Sequence, residues 1–277
     1  MVFFRRRNIE MKLSCSSYIS LLIVLAMTLG CSTEKDSAAV DNEIPQQLVA
    51  LENNFAATVI STVAFSQKKQ DGFESLFNGK NLKGWKTPSG EHSWKVIDGV
   101  IDYEAKGGNL TTEKSYGDYV FRLDWRFKRT EGPPYNAKLF DAEGNVTGNK
   151  LVKNADSGIF VRGSGKSQLN LWCWPCGSGQ LWSFHGSKDP VIRKGALPKV
   201  NADKPVGEWN KMEITMKGET VTVVLNGKTV IDQSKMPGVG TKGPIVLQHH
   251  GGYNAKNKTW NSASALIQFR NLSIKEL

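Results

Sequence analysis

The chain has 277 residues, of which 39% are hydrophobic and 22% charged, as expected for one large or two small soluble domains. Its formal net charge is +10, but residues 1–30 hold four basic residues and one acidic residue, which leaves 32 basic and 25 acidic side chains, or +7. In that remainder the basic residues are spread out and form no block beside aromatic residues. We therefore expect no nucleic-acid partner.

The N-terminal segment predicts export. Basic residues precede an apolar run at 18–29, which is too short for a membrane span and suits the core of a secretory signal. The run ends in Leu29-Gly30-Cys31, which resembles the end of a bacterial lipoprotein signal with Cys31 as the lipidated residue. Simple secretion and an uncleaved anchor are the alternatives, and Met11 is a second candidate start. Residues 1–31 thus predict a lipid-anchored protein of the bacterial cell envelope, facing the periplasm or on the cell surface.

Residues 32–70 are polar and poor in proline, and they lack a strand-and-turn pattern. We interpret them as a tether, with a short amphipathic helix at 48–55 as an alternative. The stretch Ala64-Phe65-Ser66-Gln67 also resembles a signal-peptidase site. One domain is predicted over residues 71–277.

The domain shows short alternating runs broken by Gly, Asn and Pro, a pattern typical of antiparallel β proteins. About a dozen strands without helices predict an all-β fold, a two-sheet antiparallel β-sandwich of the jelly-roll type. A long segment at 130–154 is rich in Gly, Pro and Asn and predicts a functional loop at the rim of a groove, or disorder. The predicted strands are a hairpin at 94–103, one strand at 119–128, a meander at 209–232, and strands at 244–250 and 266–275.

The segment from 156 to 185 carries the most informative pattern. If this segment is a strand, Gln168, Asn170 and Trp172 lie on one face. The alternate residues Leu169, Leu171 and Cys173 then lie on the other face. An amide row beside an indole suits a sugar-sized polyol, because amides bind hydroxyls and the indole stacks on the ring. An edge strand with a solvated polar face gives the same alternation.

The sequence Trp172-Cys-Trp-Pro-Cys176 is similar to a thioredoxin active site, but no βαβ pattern surrounds it. In an oxidising envelope compartment we expect a short disulfide between Cys173 and Cys176, with two buried thiols as the alternative.

Four segments of the domain form a recognisable set. They are Phe73-Glu-Ser-Leu-Phe-Asn-Gly-Lys-Asn-Leu-Lys-Gly-Trp85, Asp156-Ser-Gly-Ile-Phe-Val-Arg162-Gly163, Gly243-Pro-Ile-Val-Leu-Gln-His-His250-Gly251 and Phe269-Arg-Asn-Leu-Ser-Ile-Lys275. Together, and in this order, they resemble the 3-keto-disaccharide hydrolase domain family. The resemblance implies a concanavalin-like (lectin-like) jelly roll and action on 3-keto-glycosides in bacterial carbohydrate breakdown.

The chain departs from the family pattern at three places. Asp156 replaces a common Asn, Gln168-Leu-Asn170 replaces Glu-x-Gln, and His249 replaces the Asp of Gln-Asp-His-Gly, while His250 matches. The resemblance therefore implies a divergent member of the family.

The implied chemistry is removal of the C2 proton beside a C3 ketone, followed by loss of the aglycone as elimination or net hydrolysis. It needs a base and an enolate stabiliser, not the two spaced carboxylates of ordinary glycoside hydrolysis. His249 and His250 are adjacent and should point to opposite faces of a strand. A divalent metal ion is a further option, through His250 with Asp156 or His185. We expect His250, Asp156 and Arg162 to be catalytic and Gln168, Asn170, Trp172, Gln180, His185 and Gln248 to bind the sugar.

Arg162 could instead pair with Asp124 in a structural role. The alternative functions are a non-catalytic carbohydrate-binding module of the envelope and a lipoprotein-borne interaction domain. Conversion of an oxidised disaccharide separates the enzyme from the module.

Overall fold

A computed structural model describes residues 72–277, and the signal and tether predicted at 1–31 and 32–70 lie outside these residues. One short α-helix, α1 (Pro190–Gly195), interrupts the strands of this region and begins where Asp189 accepts hydrogen bonds from the amides of Val191 and Ile192. In chain order the strands are β1 (Glu74–Ser75), β2 (Trp85–Lys86), β3 (Lys95–Ile97), β4 (Val100–Asp102), β5 (Leu110–Tyr116), β6 (Tyr119–Phe127), β7 (Tyr135–Phe140), β8 (Val146–Val152), β9 (Asp156–Phe160), β10 (Gln168–Trp172), β11 (Asn210–Lys217), β12 (Thr220–Leu225), β13 (Lys228–Lys235), β14 (Gly243–Leu247), β15 (Tyr253–Asn254), β16 (Thr259–Trp260) and β17 (Ile267–Glu276).

Two antiparallel sheets form the predicted β-sandwich. The larger has the order β13-β12-β11-β6-β17-β4-β3, with β1 also paired to β17, and the smaller has the order β10-β9-β14-β5-β2. Within residues 72–277 no helix has the length and apolar character needed to cross a bilayer.

Local sequence explains the predicted hairpins. Strands β3 and β4 are joined by Asp98 and Gly99, and β12 and β13 by Asn226 and Gly227, all four with φ between 50° and 80°. Asn, Asp and Gly are the residues that tolerate this conformation, which matches the twist of the strands. The hairpin and the meander are thus confirmed.

The core lies between the two sheets. Strand β6 contributes its five alternating apolar residues, from Tyr119 to Phe127, and each is at most 3% exposed. Leu169 and Leu171 of β10 face the same core and are fully buried. The opposite face of β10 is therefore free to form a site on the outer side of the smaller sheet.

The segment predicted as a loop at 130–154 instead contains the hairpin β7–β8, a separate two-stranded sheet. A turn at Asp141 forms its tip, where this carboxylate accepts hydrogen bonds from the amides of Glu143 and Asn145. Ala137 and Val152 pack on Trp172 and Trp174 in a second, small apolar cluster.

Arg162 is not a residue of the candidate site, contrary to the prediction. Its buried guanidinium donates hydrogen bonds to the carbonyl oxygens of Gly117, Gly218 and Gly240 and pairs with Asp118 at 2.9 Å. The fork of five donors therefore joins three loops at one end of the sandwich.

The alternative pairing of Arg162 with Asp124 is also wrong. Asp124 accepts hydrogen bonds from Arg270 and Asn271 on the larger sheet. The guanidinium of Arg270 stacks on Trp209, with 4.1 Å to the ring centroid.

We predict that Arg162→Lys lowers the free energy of unfolding by about 3 kcal/mol, because a point charge cannot replace the fork and leaves buried carbonyls unpaired. Chemical denaturation measures this loss. The control Arg122→Lys changes an exposed pair with Glu213 and should cost less than about 1 kcal/mol. Equal effects of the two substitutions would contradict this role of Arg162.

Candidate active site

A cavity of about 390 Å³ opens on the outer face of the smaller sheet, and we call it the amide pocket. Strands β9 and β10 form its floor, and the loops after β14 and β16 and the hairpin β7–β8 form its sides. Its lining combines amide, carboxyl, imidazole and indole groups. The lining residues are Tyr135, Asn154, Asp156, Gln168, Asn170, Trp172, Trp174, Trp182, Gln248, His250, Ser262 and Ala263.

The floor is a chain of hydrogen-bonded amides. Gln168 Nε2 donates to Asn170 Oδ1 at 2.8 Å and to Gln248 Oε1 at 3.0 Å, and Asn170 Nδ2 donates to Gln180 Oε1 at 3.1 Å. A Cβ on Gly158 would lie 2.8 Å from Gln248 Oε1, so the absent side chain makes room for the network. The network fixes the amides, and the NH₂ group of Gln248 is not used within it.

The side chains predicted on the polar face of β10 therefore lie together in a pocket and not on a solvated edge. Asn170 is 1% exposed and Trp172 2% exposed. Gln248 joins them because its backbone amide donates to Gly158 O beside β10. Gln180 lies beneath Asn170 and does not line the pocket, so it acts on this site through Asn170.

His250 and Asp156 face each other at one side of the pocket. His250 Nδ1 donates to Ala263 O at 2.8 Å, so Nε2 faces Asp156 Oδ2 at 3.6 Å. The next residue, Gly251, has a φ of 70° and allows close approach, since a Cβ there would lie 2.5 Å from Ala263 O. The backbone thus sets which nitrogen of His250 is available.

Burial raises the pKa of Asp156 to about 6, and the neighbouring His250 lowers it against this effect. Lys and Arg are absent from the lining of the amide pocket, so the imidazole is the single basic group facing this carboxyl. Asp156 can therefore gain or lose a proton near neutral pH, which is the property required of a general base.

His249 points away from the pocket. Its Nδ1 is hydrogen-bonded to the hydroxyl of Tyr103, and its backbone amide donates to Asn109. The predicted divergence of His249 and His250 is confirmed, although both residues follow strand β14, which ends at Leu247.

Aromatic rings form the opposite wall. The rings of Trp172 and Trp174 stack at 3.8 Å, and Tyr135 stacks on Trp174 at 5.1 Å. Trp172 Nε1 donates to Gly177 O, which fixes the stack. Tyr135 was not predicted as a site residue, because it comes from the distant hairpin β7–β8. Trp174 and Trp182 were not predicted either, although both follow β10 within ten residues and Trp174 continues the alternation of Gln168, Asn170 and Trp172.

His185 does not line the amide pocket, contrary to the prediction. Its ring lies against Trp182 with 4.9 Å between centroids, in a neighbouring cleft, and burial lowers its pKa. It also lies outside any metal site with His250, since no group of three His, Cys, Asp or Glu side chains in residues 72–277 could hold a metal ion. Only Asp156 and His250 of the pocket lining carry such ligands, too few for a resident zinc site.

Cys173 and Cys176 are free thiols, and the expected disulfide is therefore not formed. Burial raises the pKa of Cys173 to about 11 and that of Cys176 to about 12. Both thiols are then protonated at neutral pH and unsuited to nucleophilic or redox chemistry. The alternative of two buried thiols applies.

Comparison with known proteins identifies the family of the domain. Residues 72–275 match the family model described as a 3-keto-alpha-glucoside-1,2-lyase-like domain. The chain belongs to this family of carbohydrate-acting domains.

Individual relatives are distant. A 3-keto-disaccharide hydrolase of Bacteroides thetaiotaomicron is 23% identical over 234 residues, which cover 77% of each protein. Two solved structures from Parabacteroides distasonis, provisionally described as glycosyl hydrolases, are also similar. One is 23% identical with a TM-score of 0.47 and covers 74% of this chain and 84% of its own. The other is 20% identical with a TM-score of 0.48 and covers 76% and 96%.

We predict that Asp156→Asn stabilises the fold at neutral pH. The folded pKa of about 6 lies above the ordinary value of 3.8, so the stability that protonated Asp156 contributes is present below about pH 4 and is lost as pH rises through 6. Asn has no charge to bury, and the melting temperature should rise by about 2–6 °C at pH 7.5 but change little at pH 4.

The control is Asp141→Asn. Hydrogen bonds from Asn145 lower the pKa of Asp141, so neutralising this exposed carboxylate should not raise the melting temperature at pH 7.5. A gain for Asp156→Asn that is the same at pH 4 and pH 7.5 would show that burial of charge is not its cause.

Proposed function

We propose that this domain cleaves 3-keto-glycosides by removing the proton at C2 and expelling the aglycone from C1. One observation carries the proposal. Asp156 is the only carboxylate that lines the amide pocket, and its partner is an imidazole. Ordinary glycoside hydrolysis needs two carboxylates on either side of the bond, whereas proton abstraction beside a ketone needs one base.

The proposed reaction has three steps: proton removal, loss of the aglycone and addition of water. The pair of His250 and Asp156 takes the C2 proton, and the C2–H electrons form an enolate with the C3 oxygen. The enolate re-forms the C3 ketone as the C1–O bond breaks, which leaves a C1=C2 double bond and an aglycone that takes up a proton as an alcohol. Addition of water across C1=C2 then completes net hydrolysis, and release before this step gives elimination.

The negative charge of the enolate must be stabilised by dipoles of the amide pocket. Because Lys and Arg are absent from its lining, the enolate oxygen would accept hydrogen bonds from the NH₂ group of Gln248 and from the protonated pair. The fixed amides need no reorganisation when the charge develops. Gln168 and Asn170 would lie beside the hydroxyls of the sugar ring, and Trp172, which is stacked on Trp174, would border the ring without stacking on it.

We predict that His250→Ala lowers kcat by about 10²- to 10⁴-fold on a 3-keto-glycoside, the usual cost of losing a general base. Asn170→Ala should mainly weaken binding, because one positioning hydrogen bond contributes about 1 kcal/mol. Steady-state kinetics on both variants separates the two roles.

His249→Ala is the matched control. It removes the adjacent ring that contacts Tyr103, so it should lower stability and leave kcat near the wild-type value. A folded His249→Ala variant without turnover, beside an active His250→Ala variant, would refute the role of His250. Sugar binding by the wild type without any turnover would favour a non-catalytic module.

We also propose that the domain is held at the cell envelope by a lipid on Cys31, as the Leu29-Gly30-Cys31 sequence supports. Cys31→Ala should release the protein from membranes or leave it as a heavier precursor. Membrane fractionation and the mass of the mature chain measure this. Unchanged fractionation with an unchanged mass would contradict lipidation.

A further inference from the structure

Trp182 separates two cavities. The side chain of Trp182 lines the amide pocket. It also lines a neighbouring open cleft of about 600 Å³, which we call the His185 cleft. The side chain is 43% exposed, an unusual degree for the largest apolar residue. The residues of the His185 cleft used below are Lys166, Trp182, Ser183, His185 and Ser187.

The indole of Trp182 is held in place in spite of its exposure. Its backbone amide donates to Gln168 O at 3.2 Å, and its carbonyl accepts a hydrogen bond from His185 Nδ1 at 2.5 Å. The His185 ring is tilted by 34° against the indole, with 4.9 Å between the centroids, and Trp172 meets the indole edge-on at 6.2 Å. A fixed, exposed indole loses little entropy when a flat apolar face stacks on it.

The spacing suits a second ring. The segment with Trp182 lies beside β10, and across the sheet β9 and then β14 come next. His250 follows β14 in the chain. Three strand spacings place Trp182 about 14 Å from the strand that leads to His250. A pyranose whose C2 lies at His250 would therefore leave the indole free for the unit attached at C1.

The chemistry of the His185 cleft also suits a hydroxylated ring. Lys166, Ser183 and Ser187 supply an amine and two hydroxyl groups around the apolar surface of Trp182. Sugars are bound by this combination of stacking and hydrogen bonds. Of the described residues, Trp182 is the one that lines both cavities.

We propose that the His185 cleft is the aglycone subsite, in which the leaving unit of a 3-keto-disaccharide stacks on Trp182. This inference rests on the proposed function and gives the direction in which the substrate lies. Trp182 is accordingly a specificity residue, and His185 is a positioning residue that acts through the indole.

The test compares two substrates on the full chain: a 3-keto-disaccharide of glucose and methyl 3-keto-glucoside, whose aglycone is too small to reach Trp182. The wild type should prefer the disaccharide in kcat/KM. Trp182→Ala should lower this preference by about 10-fold, as expected for a lost stacking contact, and Trp182→Phe should keep most of it. Circular dichroism verifies folding.

Tyr135→Ala is the matched control. Tyr135 is 46% exposed, a fraction similar to that of Trp182, and lies at the other end of the row of aromatic rings, where it stacks on Trp174. It should lower kcat/KM for both substrates by the same factor. Loss of the preference in Tyr135→Ala but not in Trp182→Ala would overturn the proposal and place the aglycone on the other side. An equal loss on both substrates in Trp182→Ala would overturn it as well.

A binding measurement with unoxidised sugars distinguishes failure of the subsite from failure of the proposed reaction. The wild type and Trp182→Ala can be titrated with the unoxidised disaccharide and with methyl glucoside in a calorimeter. The wild type should bind the disaccharide about 10-fold more tightly, and Trp182→Ala should remove the difference. If neither oxidised substrate is turned over but this difference is seen, the proposed reaction fails and the subsite stands. Without the difference, the subsite fails.

Discussion

The alternation of side chains along β10 is the constraint on which the site depends. Leu169 and Leu171 are fully buried in the core between the sheets, and this fixes Gln168, Asn170 and Trp172 on the outer face. A shift of one residue would place amides in the core and leucines in the pocket, at a cost of several kcal/mol. Core packing therefore also specifies the binding surface.

The amide floor and the imidazole–carboxyl pair have complementary roles. Hydrogen bonds from Gln168 to Asn170 and Gln248 hold the floor in one arrangement, and Ala263 O fixes the tautomer of His250. Burial of Asp156 opposes its ionisation, so the site carries a group that weakens the fold at neutral pH. Such a cost is common where a proton must be exchanged with a ligand.

Local patterns in the sequence were enough to predict the jelly roll, the faces of β6 and β10, and the tight turns at Asp98-Gly99 and Asn226-Gly227. They were enough because strand periodicity and turn chemistry act within a few residues. The position of His250 in the pocket followed from the family resemblance and from its alternation with His249.

Other features depend on contacts between distant segments. Arg162 binds carbonyls of Gly117, Gly218 and Gly240, which are remote from it in sequence, so a catalytic Arg and a structural Arg could not be told apart. The hairpin β7–β8 was not predicted, because β8 is largely exposed and lacks apolar alternation, so the alternating residues of β7 had no recognisable partner strand. Trp182 gave no signal either, since its importance follows from the two cavities that meet there.

The proton at C2 provides the most direct test of the central claim. The reaction of a 3-keto-glycoside would be run in D₂O and the product analysed by NMR against a sample without enzyme. We expect the wild type to remove the original C2 hydrogen far faster than buffer alone, and His250→Ala to do so only slowly. Net hydrolysis in D₂O gives a 3-keto sugar with deuterium at C2, and elimination gives a C1=C2 product with no hydrogen at C2. Complete cleavage by the wild type with the original hydrogen kept at C2 would contradict proton abstraction as the mechanism.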